Sequence, residues 1–81
     1  MDSALIVSYS EKSAAYLTDI LTEASVTDIV TVSNAGKARR MLMEKDFDLC
    51  IINAPLPDET GESLALNIAE KQYTEVILIV K

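Results

Sequence analysis

The chain has 81 residues, 49% apolar and 25% charged, which suits one small globular domain and excludes a disordered segment. Its net charge of −6 argues against direct nucleic-acid binding by this segment, which would repel the phosphates of its own partner. With no histidine and the single cysteine Cys50, the usual zinc sites, a His-based triad and an internal disulfide are excluded.

No run of eighteen apolar residues is present, so no transmembrane helix is expected. The N-terminus reaches its first apolar run too early, and with too few basic residues, for a signal peptide. Cys50 fits a reducing compartment, where it packs as a small hydrophobe. The cytoplasm is the expected location.

Ala4 to Val7 is a continuous apolar run and reads as a buried parallel strand. Ser10 is a suitable N-cap for a helix from about Glu11. Along that helix Tyr16, Leu17, Ile20, Leu21 and Ala24 fall at the i, i+1, i+4, i+5, i+8 spacing of one face. Asp28 to Val32 is a second, β-branched strand. Ser33 or Asn34 caps the next helix, whose apolar positions include Ala35, Ala38, Met41 and Leu42. Gly36 inside it costs up to about 1 kcal/mol relative to Ala. Asp48 to Asn53 reads as a third strand, and a helix follows from about Glu62 to Lys71 with Leu64, Ala65, Ile68 and Ala69. Glu75 to Val80 forms a fourth strand. This alternation implies right-handed crossovers and an α/β fold: a doubly wound parallel sheet of the flavodoxin-like strand order 2-1-3-4-5.

The informative stretch is Asp48-Leu49-Cys50-Ile51-Ile52-Asn53-Ala54-Pro55-Leu56-Pro57-Asp58-Glu59-Thr60-Gly61. A short apolar run gives way to punctuating residues, which reads as a buried strand, a tight loop and the start of a helix. Ligands bind just outside the carboxyl ends of strands in open parallel sheets, which is where Asn53 falls.

The stretch resembles the acceptor strand of bacterial response-regulator receiver domains. That family ends its third strand on a phosphate-accepting Asp, with Pro four and Gly eight residues later; Pro57 and Gly61 stand at those offsets from Asn53. The run from Ile51 to Gly61 is similar to one subset, the receiver halves of ANTAR-type antitermination regulators. The resemblance implies that residues 1–81 are the N-terminal part of a receiver domain truncated after the fourth strand. The last strand and helices, and any output domain, would lie beyond it. A bare fourth strand of Val76, Ile77, Leu78, Ile79 and Val80 is a template for pairing. Self-association through that strand and the sheet face beside it is therefore expected.

The resemblance also implies which residues should carry chemistry, and here the chain departs from the pattern. The family's acidic pair after the first strand aligns with Ser8 and Tyr9, and its acceptor with Asn53. Its switch Thr or Ser aligns with Val80, which lacks a hydroxyl. Mg²⁺ prefers hard oxygen ligands, usually one or two carboxylates among them, and these positions supply none. Acyl phosphate formation needs a carboxylate nucleophile, which an amide is not. No metal, cofactor or catalytic residue is expected.

Several residues carry two readings. Asn53 is either a strand-end residue bonding a neighbour or a fixed mimic of one switch state. Asp58 and Glu59 read as turn residues that favour the N-terminus of the following helix. Ser8, Ser10 and Ser13 read as caps, or as a phosphate cradle of the flavin-mononucleotide kind. Lys37, Arg39 and Arg40 are a solvated face or a contact surface. Two functions remain. The favoured one is a non-phosphorylatable pseudo-receiver that regulates an output domain, of the ANTAR RNA-binding kind, through protein–protein contact. The alternative is a small phosphate-ligand (flavin or nucleotide) binding domain on the same fold, and fold alone does not choose between them.

Overall fold

The computed structural model describes residues 2–71 and 73–80. Elements alternate along the chain as β1 (Ser3–Ser8), α1 (Glu11–Glu23), β2 (Asp28–Val32), α2 (Ala35–Glu44), β3 (Leu49–Asn53), α3 (Gly61–Ala69) and β4 (Glu75–Ile79). The four strands form one parallel sheet in the order β2-β1-β3-β4. This is the doubly wound arrangement the alternation predicts. β1 and β3 lie in the middle and are buried nearly throughout, as their unbroken apolar runs require.

Side chains alternate across the sheet with period two, so each central strand feeds two cores. Leu5, Val7, Cys50 and Ile52 meet Ala38, Leu64, Ile68 and Phe47 on the face covered by α2 and α3. Ala4, Ile6, Leu49 and Ile51 meet Leu21 and Val26 on the face covered by α1. Burial pushes the Cys50 thiol up to about 12, so it is an inert packing group.

The helix ends follow local chemistry. Ser10 Oγ accepts from the Ser13 amide at 3.2 Å and caps α1. Asn34, not Ser33, caps α2, its side-chain oxygen accepting from Lys37 N at 2.8 Å. Thr60 caps α3 in the same way. α1 closes with Ser25 in the left-handed region (φ 68°), its N–H on Thr22 O and the next N–H, from Val26, on Leu21 O. That is the Schellman pattern, with Val26 buried against Leu21.

The bounds of four elements and one helix face differ from the sequence reading. β1 runs one residue further at each end, into Ser3 and Ser8. β3 begins at Leu49, although the Asp48 backbone still bonds Ser3 and Glu75 on either side. The Asp48 carboxylate accepts from the Asp2 and Ser3 amides at 2.9 and 3.2 Å, clipping the N-terminus to the sheet. α3 starts at Gly61 and ends at Ala69, and β4 stops at Ile79, leaving Val80 outside the ladder. On α1, Leu17 and Leu21 turn inward while Tyr16 and Ile20 are 68% and 46% exposed. α1 is the one described helix on its face, so the apolar stripe is wider than the surface it has to cover.

Candidate functional site

β1 and β3 are parallel neighbours, and their register sets Ser8 beside Asn53 at the C-terminal rim of the sheet. Both side chains are buried, Asn53 with 9% of its surface exposed. Asn53 Nδ2 donates to Ser8 Oγ at 3.1 Å, and that hydroxyl donates to the Ser10 carbonyl at 2.9 Å. A hydroxyl has one proton to give, so Ser8 must accept from Asn53, which fixes the amide with its nitrogen toward β1. The relay is neutral throughout. It ties the end of β3 to the residue that caps α1.

The other sequence-predicted positions do not join this pair. Tyr9 is 68% exposed. With Ser8, Glu11, Thr31, Ser33 and Lys37 it lines an open hollow of about 580 Å³ between the loops after β1 and β2. Val80 is 63% exposed and borders a different hollow, of about 630 Å³, with the loop from Ala54 to Gly61. Pro57 is exposed on that loop, while Gly61 is buried as the first residue of α3. A Cβ at Gly61 would stand 2.8 Å from Leu78 Cδ1 and 3.0 Å from Ala54 Cβ. The helix can therefore approach the sheet there only without a side chain.

Asp58 and Glu59 are loop residues just ahead of α3, and Glu59 bonds Ser63 in its first turn, as the sequence reading allows. They also reach back to α2, the preceding helix, which the sequence reading does not include. Asp58 Oδ1 accepts from Ala35 N at 3.0 Å and Oδ2 from Gly36 N at 2.9 Å, satisfying two of the unpaired N–H groups at the start of α2. Those N–H groups, Ala35 first, hold the Asp58 carboxyl below its usual range. Glu59 receives both guanidinium arms of Arg39, which also donates to Asn67 Oδ1 at 2.6 Å. The Arg39 hydrogen bond lowers the Glu59 carboxyl as well. Arg39 is thus committed to the loop and to α3, not to a solvated basic face. No local signal marks these pairings, which span 20 to 28 residues.

The donor set at the rim can be tested against a divalent cation. Ser8 gives its proton to a carbonyl and its acceptor capacity to Asn53, Tyr9 turns to solvent, and none of the three is a carboxylate. Mg²⁺, which keeps several waters and needs hard anionic oxygens, does not fit these residues. Among the described residues, no three His, Cys, Asp or Glu side chains converge as metal ligands would.

No protein-family model and no curated protein sequence matches the chain. Solved structures do. An aspartate-to-alanine variant of the response regulator MaeR, bound to sulfate, superposes with a TM-score of 0.87 at 22% identity over 96% of this chain and 66% of its own. The chemotaxis response regulator CheY4 of Vibrio cholerae gives 0.83 at 18% identity, with 96% and 67% covered. A structure of the histidine kinase ThkA in complex with the response regulator TrrA gives 0.83 at 25% identity, with the same shares covered. The fold is that of the CheY-like receiver domain, the flavodoxin-like class expected from the sequence. The chain spans about two thirds of the length of these structures.

Proposed function

We propose that residues 1–81 are the N-terminal part of a pseudo-receiver: a signalling module that takes no phosphoryl group and works by protein contact, not catalysis. The observation that carries this reading is the Asn53–Ser8–Ser10 relay. It places a buried amide, already hydrogen-bonded, where the resemblance calls for a carboxylate nucleophile and its metal. The module acts in the cytoplasm on an attached output domain, the ANTAR RNA-binding kind being the one its loop wording favours. No described helix is long and apolar enough to cross a membrane.

Contact through β4 is part of the same proposal. β2, at the opposite edge, is guarded by the Asp28–Lys45 ion pair, whereas β4 carries Ile77 at 47% exposure. Edges protected by charge resist pairing and apolar ones invite it, so the isolated chain self-associates along β4. A monomer at high concentration by sedimentation, with freely exchanging β4 amides, contradicts that part. The phosphate-ligand alternative has less support, since Ser8 and Ser10 spend their hydroxyls on the relay and the α1 cap.

The test of the central reading is incubation with Mg²⁺ and acetyl phosphate, followed by intact mass. An unchanged mass is expected for the native chain and for Asn53→Asp, which regains a carboxylate but still lacks ligands at Ser8 and Tyr9. A phosphoryl adduct at position 53 of the native chain overturns it.

A further inference from the structure

We infer that Asp58 and Glu59 form a charge-operated latch that holds the loop between β3 and α3 against α2, and that opening this latch, not an event at Asn53, is how the rim changes state. The inference rests on the pseudo-receiver reading, because it supplies a moving part where the acceptor position has none.

The loop is anchored at two points. Leu56 is buried in the core shared by α2 and α3, and Gly61 packs beneath Leu78. Between them, Pro57 to Thr60 form no described backbone–backbone bond outside α3 apart from Thr60 O, which accepts from Leu64 N. At its far end Thr60 caps α3, and Glu59 also bonds Ser63 there. What holds the span against α2 is side-chain chemistry: Asp58 on the Ala35 and Gly36 amides, and Glu59 on Arg39. The ion pair is partly exposed, with 39% and 25% of its two side chains in solvent. Such pairs are individually weak and fall with ionic strength. A span held this way sits at the low end of local stability and opens without unfolding the sheet. Opening frees one wall of the 630 Å³ hollow bounded by Ala54 to Glu62 and Val80. It also strips two amides at the start of α2 of their acceptor, since Asn34 serves a different one, Lys37 N. The rim and α2 are therefore coupled through three residues that lie away from Asn53.

The experiment is amide hydrogen exchange by NMR on the 81-residue chain, comparing native protein with Asp58→Ala, Asp58→Asn and Arg39→Met. Exchange at Ala35, Gly36 and the amides of residues 58–60 is expected to rise about tenfold or more in Asp58→Ala and less in Asp58→Asn. Amides of β1 and β3 should keep native protection. In Arg39→Met the rise should be confined to the loop, and in native protein high salt should reproduce it. Unchanged exchange at Ala35 and Gly36 overturns the inference. So does an equal rise across β1 and β3, which would make the contacts general structural support. Phosphoryl uptake is read by mass on the same samples, so a failure of the pseudo-receiver reading is seen separately.

Discussion

The rim of this sheet is tied at two places, and the ties are built from opposite materials. At Asn53 and Ser8 the bond is buried, neutral and set by strand register. At Asp58, Glu59 and Arg39 the bonds all involve a carboxylate charge, on backbone amides for Asp58 and on a guanidinium for Glu59; they are partly exposed and made between a loop and a helix. A buried neutral bond ignores salt and pH and is costly to break, because its partner is left unsatisfied. An exposed ionic one contributes little at rest and responds to its surroundings. The difference assigns rigidity to the end of β3, where the sequence resemblance implies the acceptor position, and adjustability to a loop beside it.

The largest effect should come from forcing α3 away from the sheet at Gly61, the loop's second anchor. Gly61→Val drives methyl groups into Leu78 and Ala54 and should cost about 3 kcal/mol, read as a lower urea midpoint. Asn53→Ala should cost about 2 kcal/mol by the same measurement, with the loss independent of salt between low and high ionic strength. Arg39→Met should cost at most about 1 kcal/mol, and that difference should vanish in high salt. If Asn53→Ala proves salt-sensitive and Arg39→Met does not, the contrast between the two ties is wrong.

The pH dependence separates them as well. Asp58 and Glu59 both titrate below their ordinary values of 3.8 and 4.5, so their contribution is complete above that range. It fades as pH falls through the lowered folded values. The charged groups around them are Arg39 of α2 and each other, and Glu62 of α3 lines the same hollow. Acidification should therefore loosen residues 57–60 and the Ala35 and Gly36 amides first, followed by chemical shift, while the Ser8–Asn53 bond persists. The smallest effect is a gain: Gly36→Ala should stabilise α2 by up to about 1 kcal/mol, because its Cβ meets Asp58 Oδ2 at an ordinary 3.5 Å.

The sheet was legible in the sequence because unbroken apolar runs such as Leu49–Ile52 specify buried parallel strands, and period and length specify the helices between them. Ser10 and Asn34 were readable as caps for a similar reason: capping is a contact within four residues. The pairing of Ser8 with Asn53 followed from strand order once the fold was known. Asp58 was not readable, because turn residues before a helix ordinarily serve that helix, and nothing local marks one that reaches back 22 residues to the previous one. The exposure of Tyr16 and Ile20 is not legible in the sequence, because periodicity reports an apolar stripe and not how much of it meets a partner.

Everything proposed for this rim depends on Ser8, Tyr9 and Asn53 offering no anionic oxygen to a divalent ion. Titrating MgCl₂ into the labelled chain and following the backbone amides of Ser8, Tyr9 and Asn53, with the Asn53 side-chain amide, tests it directly. No saturable shift is expected at any of them, only the uniform drift that added salt produces. A saturable shift centred on Ser8 and Asn53 would contradict it.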